Sequence, residues 1–235
     1  MYSIGMNIKQ LLGLQKEEVS TKGLFGRVIA HDNIKRMLAM ALDSEKPIHV
    51  CLHGKPGNAK TMLVRAIKER FPEVTEYVIG SDTTKAGLYD LLFEKRNKIK
   101  YLIIDEIEYM SKQDQAILLN LLETGILREV KRTVRRETKL TIWVFATCNN
   151  FKKLSEPLRT RFLCKYMPAY EYAEFEQIAV GRLMQEHRNM KVDFARAIAN
   201  AVWDKRGEES NVRDCVRISH MAKTLDEIAF MVEEI

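Results

Sequence analysis

The residues best suited to chemistry lie in one stretch, His53-Gly54-Lys55-Pro56-Gly57-Asn58-Ala59-Lys60-Thr61, between the apolar run Ile48 to Leu52 and a helical pattern from Met62 to Arg70. A glycine, four free positions, a lysine and a threonine describe a phosphate-binding loop, except that Ala59 stands where a second glycine is expected. In such a loop successive backbone N–H groups face inward, and the following helix turns its positive N-terminal end toward an anion. The anion this predicts is a nucleotide phosphate. Lys60 would neutralise the β- and γ-phosphates, and Thr61 would place its hydroxyl on Mg²⁺. We assign Gly54, Lys55, Pro56, Gly57, Asn58, Ala59, Lys60, Thr61 and Met62 to nucleotide binding, together with Val28 and Ile29. The alternative is a plain glycine-containing turn from strand to helix.

A second group supplies what a phosphate loop lacks. Tyr101-Leu102-Ile103-Ile104 is a continuous apolar run, the pattern of a strand buried on both faces of a parallel sheet, and it ends in Asp105-Glu106. Carboxylates there emerge at the same sheet edge as the loop. Asp105 is assigned to the metal and Glu106 to general-base activation of the water that attacks the γ-phosphate. Another apolar run, Thr141 to Ala146, leads through Thr147-Cys148 to Asn149, which is placed to orient that water or touch the γ-phosphate. Asn149 could equally be a strand-terminal turn residue.

Positioning these groups takes alternating strands and helices. A helix over Asp32 to Leu42 precedes the first strand, Ile48 to Leu52; Val74 to Ile79 is a second strand, and Gly80 to Thr84 a turn before the helix Leu88 to Lys95. Ser111 caps a helix that Thr124-Gly125 stops. From Ile126 to Lys139 no helical stripe appears, and two short strands of a hairpin with basic edges are predicted. Leu140 to Thr147 is again a buried strand. Beyond Pro168 the pattern is purely helical: Tyr172 to Arg188, Phe194 to Lys205, Val212 to Lys223 and Leu225 to Glu234. The expected organisation is an arm over 1–22, an α/β nucleotide-binding domain over 23–168 with a doubly wound parallel sheet, a basic hairpin over 126–139, and a small all-helical lid over 169–235.

Set in this order, the motifs resemble those of the AAA+ ATPases, a class of P-loop NTPases: Gly54 to Thr61 as Walker A, Leu102 to Glu106 as Walker B and Asn149 as sensor 1. Glu156-Pro157-Leu158-Arg159-Thr160-Arg161-Phe162 resembles the arginine-finger box and Asn211-Val212-Arg213-Asp214 sensor 2. The resemblance implies that Arg161, or Arg159, reaches the γ-phosphate held by a neighbouring subunit, and that Arg213 reaches that of its own. A homo-oligomeric ring, a hexamer, follows from it. The finger box, Tyr170 and the basic segment before sensor 1 are similar to RuvB-like branch-migration motors; Gly80-Ser81-Asp82 and Cys148-Asn149-Asn150 to clamp-loader small subunits; and the Pro-Gly-x-Ala-Lys-Thr loop to MCM helicases, which also carry alanine at the position of Ala59.

Composition bounds the rest. With 235 residues there is enough chain for a large domain and a smaller one, and no apolar run or leader pattern sends it to a membrane, so a cytoplasmic protein is expected. Cys51, Cys148, Cys164 and Cys215 lie far apart along the chain in apolar contexts and are expected to be free thiols. The net charge of +6 is uneven: Arg128, Lys131, Arg132, Arg135, Arg136 and Lys139 face only Glu129 and Glu137 across one segment. With no aromatic side chain to stack on bases, Arg128, Lys131, Arg132, Arg135 and Arg136 predict sequence-independent contact with nucleic-acid backbone phosphates; the alternative is a solvated basic edge that protects a strand from pairing, or a docking surface for an acidic protein. The resemblance thus implies an ATP- and Mg²⁺-dependent DNA motor, or alternatively a loader or remodeller that opens or places another protein ring. RuvB relatives continue past the lid into a winged-helix domain, so DNA contact is expected to rest on the hairpin or on a partner protein supplying specificity.

Overall fold

The computed structural model describes residues 21–130 and 135–235. Most of the expected N-terminal arm, and with it Lys131 and Arg132 of the hairpin, lies outside the described residues. Helix α1 (Thr21–Phe25) and helix α2 (Asp32–Asp43) lead into strand β1 (Val50–His53), helix α3 (Lys60–Arg70), strand β2 (Thr75–Ile79), helix α4 (Lys85–Lys95) and strand β3 (Tyr101–Asp105). Helix α5 (Lys112–Thr124) is followed by the hairpin of β4 (Ile126–Val130) and β5 (Arg135–Lys139), then by strand β6 (Trp143–Cys148), helix α6 (Glu156–Arg161) and strand β7 (Leu163–Tyr166). Four helices close the chain: α7 (Tyr172–Glu186), α8 (Val192–Arg206), α9 (Val212–Met221) and α10 (Leu225–Glu233).

Five strands form one parallel sheet in the order β2-β3-β6-β1-β7. Its faces are apolar because β3 and β6 are buried throughout and carry apolar residues at all positions but Asp105 and Thr147. One face packs Leu102, Ile104, Val144 and Ala146 against Leu88, Leu92, Leu118 and Leu121 of α4 and α5. The other packs Ile103, Phe145, Val50 and Leu52 against Leu38 of α2 and Leu63, Val64 and Ile67 of α3. The doubly wound arrangement matches the expectation. A third cluster, built on Phe175, Leu183, Ile198, Val202, Cys215 and Ile218, is the core of the helical region. Three of its helices begin at side-chain caps, Asn211 on α9 and reciprocal capping boxes at Glu171/Glu174 and Thr224/Glu227 on α7 and α10.

Several boundaries moved for identifiable reasons. Residues 140–142, read as strand, instead cross from the hairpin to the sheet: the Leu140 N–H donates to Gly125 O at 2.8 Å, and Trp143 N–H opens β6 on Lys100 O at 2.9 Å. Gly125 ends α5 at φ 72°, and a Cβ there would lie 2.4 Å from Leu140 O, so the hairpin base closes only on a glycine. Strand β7 was not foreseen; it is an edge strand, mostly exposed, with no periodic signal. The four cysteines are free. Register places Cys51 beside Cys164 on the neighbouring strand, although they are distant in sequence. No helix among the described residues is long and apolar enough to cross a membrane.

Candidate nucleotide site

Strand order decides which residues meet. Because β6 is inserted between β3 and β1, the carboxyl ends of the Asp105 strand and the loop strand flank the end of β6, where Thr147, Cys148 and Asn149 emerge. The loop is held at both ends. Gly54 N–H donates to Cys148 O at 3.2 Å, Met167 N–H donates to His53 O at 2.7 Å, and a Cβ on Gly54 would fall 2.5 Å from Met167 O. The Asn58 amide donates to Met167 O at 3.2 Å and to Pro168 O at 2.9 Å, tying the loop to the start of the helical region.

Ala59 adopts φ 55° at the N-terminus of α3, the left-handed region a glycine would enter freely. An L-residue there carries about 1–2 kcal/mol of strain. Its methyl packs between the sheet-side core and the core of the helices. The departure from the usual loop pattern is therefore accommodated by the fold, without loss of loop shape.

Lys60 is buried, and its ammonium donates to Gly54 O at 2.9 Å and Lys55 O at 2.7 Å. Burial lowers its pKa, opposed first by the charge of Glu108, then by Cys148, Asp105 and Glu106. Asp105 is also buried, and its carboxylate accepts three hydroxyls: Thr61 Oγ1 at 2.9 Å, Thr147 Oγ1 and Tyr77 OH. Burial, then the bond to Asp105, raises the Tyr77 phenol, so it is a donor at neutral pH. Arg65, one turn beyond Thr61, donates through Nε to the same phenol oxygen at 3.3 Å.

Glu106 has φ 56° and ψ 48°, left-handed for a residue with a Cβ, and its N–H donates to Thr147 Oγ1 at 2.9 Å. Gly80 backs this turn so closely that a Cβ would lie 2.2 Å from Glu106 O. The Asn149 side-chain amide donates to Glu106 Oε1 at 3.4 Å. The structure thus brings Lys60, Thr61, Asp105, Glu106 and Asn149 together at one sheet edge. The helical region closes over the loop: Lys55 pairs with Glu209 at 2.9 Å, and a Cβ on Gly57 would meet the Asn211 side chain at 3.7 Å. Arg213, next along α9, is exposed; its N–H donates to Asn211 Oδ1 at 3.0 Å.

The remaining assigned residues lie apart from this edge. Val28 is buried in the core and shares a groove with the exposed Met62; Ile29 follows Val28, half-buried. Arg159 donates to Leu154 O and Lys152 O, both at 2.8 Å, and lies over the Phe151 ring. Arg161 donates to Pro157 O at 2.8 Å and pairs with Glu123. Both finger candidates thus rest on their own chain. In the hairpin, Arg128 pairs with Glu137 across the strands at 2.5 Å. Arg136 pairs with the buried Glu129 at 2.5 Å and with Asp90, and its guanidinium lies 4.5 Å from the Phe93 ring centre, which anchors the hairpin on α4. Arg135 is exposed. Sequence reasoning missed Tyr77, Thr147, Glu108 and Glu209. Only Glu108 carried a signal, as the third acid in Asp105-Glu106-Ile107-Glu108.

Residues 49–162 match the AAA domain of the dynein-related subfamily. The matched domain and the parallel P-loop sheet together give this chain an AAA+-type fold. Among solved structures the chain is similar to the RuvB Holliday junction branch migration motor of Thermotoga maritima, with a TM-score of 0.62 and 22% identity over 88% of this chain and 70% of that one. A mutant of the same motor gives a TM-score of 0.65 at 21% identity, over 88% and 70% of the two chains. The DNA replication licensing factor mcm-6 of Caenorhabditis briggsae is 22% identical over 206 residues, 68% of this chain and 25% of that protein. The chain therefore spans about a quarter of that relative's length.

Proposed function

We propose that this chain binds and hydrolyses MgATP in a ring of like subunits and uses the cycle to move along DNA through backbone contacts. The observation that carries the reading is the convergence of Lys60, Thr61, Asp105, Glu106 and Asn149 at the carboxyl ends of neighbouring strands, linked by the Thr61–Asp105 and Asn149–Glu106 hydrogen bonds. The donor set fits a magnesium ion: the Thr61 hydroxyl donates to an Asp105 oxygen at 2.9 Å, so both oxygens lie side by side at one point. When bound, the ion supplies charge neutralisation to the β- and γ-phosphates.

The rest is the work of side chains. Lys60 leaves the carbonyls of Gly54 and Lys55 for the phosphates, which replace two neutral acceptors by a charged one. Glu106, fixed by the Thr147 hydroxyl behind its N–H, accepts the proton of the attacking water, and Asn149 holds that water or the γ-phosphate. Arg213 approaches from the lid, and Arg161, with Arg159 as the second candidate, leaves its own chain to complete the neighbour's site. Val28, Ile29 and Met62 flank the base. Arg128 and Arg135 meet DNA phosphates, and Lys131 and Arg132, outside the described residues, are proposed to do the same; Arg136 serves the hairpin's anchorage.

ATPase rate with single-stranded, duplex and four-way DNA at two salt concentrations tests this. The reading predicts stimulation that falls steeply with salt, the logarithm of affinity dropping by about 0.9 for each phosphate neutralised per logarithm of salt. A DNA-independent rate refutes the motor. The neutralisation of Arg128 and Arg136 by Glu137, Glu129 and Asp90 favours the second reading, a loader or remodeller acting on another protein ring, and the same assay decides.

A further inference from the structure

Glu108 takes no part in the chemistry just described, yet it is the acid whose charge most strongly supports the protonated form of Lys60. It sits in the single turn Ile107–Tyr109 that follows the left-handed Glu106. Only 6% of its surface is exposed. One carboxylate oxygen, Oε1, accepts the Asn149 N–H at 2.7 Å and the Asn150 N–H at 3.4 Å. The other, Oε2, is buried with no hydrogen-bond partner among the described residues. Burial, then the Glu108 charge, pushes the neighbouring Cys148 thiol up to about 12.

A buried carboxylate is costly unless its charge is used. Here the charge is used twice. It makes the bonds to the Asn149–Asn150 turn charge-assisted, about twice as strong as neutral ones, and it favours the charged form of the buried Lys60. We infer that Glu108 is a positioning residue of the nucleotide site, holding the backbone at Asn149 so that its side chain meets Glu106 and the γ-phosphate at a fixed place while offsetting the charge of Lys60. The inference rests on the proposed role of Asn149.

The test is a double-mutant cycle of Glu108→Ala and Asn149→Ala, read by ATP turnover and by the ratio of ATP to ADP affinity, the latter measured without turnover in a Glu106→Gln background. Expected are an ADP affinity within about threefold of the parent and a loss of kcat of about tenfold to a hundredfold for Glu108→Ala. ATP loses its advantage over ADP, and the double variant is no slower than Asn149→Ala alone. Glu108→Gln, which keeps an acceptor for the Asn149 N–H but not the charge, falls between; it replaces the alanine in the cycle if Glu108→Ala does not fold. Multiplying effects in the double variant, or an ADP affinity that falls as far as kcat, overturns the inference. An Asn149→Ala variant with unchanged turnover instead refutes the reading of the site on which it rests.

Discussion

Replacing Gly80 by alanine tests how the acidic turn is supported. The new Cβ would lie 2.2 Å from Glu106 O and 3.0 Å from Glu106 C, well inside the 3.0 Å that real Cβ contacts to such an oxygen essentially never breach. Both obstacles are backbone, so no side chain can swing away, and the turn carrying Glu106 must move. Overpacking of this kind costs about 1–3 kcal/mol. A displacement of about 1 Å at a reacting group costs on the order of a hundredfold in rate. Gly80→Ala should therefore lower the unfolding free energy read from urea titration by that amount and depress kcat far more than nucleotide affinity. Gly181→Ala, in α7 with nothing within 4 Å of the new Cβ, is the control; it should gain about 0.5–1 kcal/mol, as alanine does over glycine inside a helix. Wild-type stability and turnover in Gly80→Ala would refute the claim that this close approach sets the Glu106 geometry.

Three further outcomes follow from the same contacts. His49 is buried, with Nε2 3.0 Å from Leu122 O and Nδ1 accepting the Val144 N–H at 3.2 Å, and burial lowers its pKa below the usual 6.5. The unfolded imidazole therefore takes up a proton that the folded one refuses; stability is complete above about pH 6.5 and declines below it, so the melting temperature should fall between about pH 7 and 5, less steeply in His49→Gln. Arg136→Ala leaves the buried Glu129 without its guanidinium and should lower the melting temperature, whereas Arg135→Ala should leave stability unchanged and reduce DNA stimulation. Arg161→Ala subunits, inactive alone, should regain turnover when mixed with Lys60→Ala subunits if the finger acts between neighbours, and stay silent otherwise.

Local pattern carried much of this protein. The four-residue apolar run before Asp105, the Ser111 cap and the Gly125 stop are short-range signals, and each stands where expected. The hairpin was visible as a loss of helical period with basic edges. What stayed hidden was set by sheet order. Tyr77 and Thr147 reach Asp105 because β2 and β6 lie on either side of β3, and no spacing along the chain encodes that. The left-handed backbone at Glu106 and the support given by Gly80 depend on the same juxtaposition. Ala59 shows the converse: its residue type departs from the loop pattern, yet its backbone takes the conformation the missing glycine would have taken.

The central claim is that the edge formed by Lys60, Thr61, Asp105, Glu106 and Asn149 hydrolyses ATP with Glu106 as the base. Single-turnover hydrolysis of labelled ATP by the wild type and Glu106→Gln, with bound nucleotide quantified in the same samples, tests it most directly. The account predicts magnesium-dependent hydrolysis by the wild type and, in Glu106→Gln, ATP that is bound and remains uncleaved. Equal cleavage by the two proteins, or a wild type that retains no nucleotide, would contradict it.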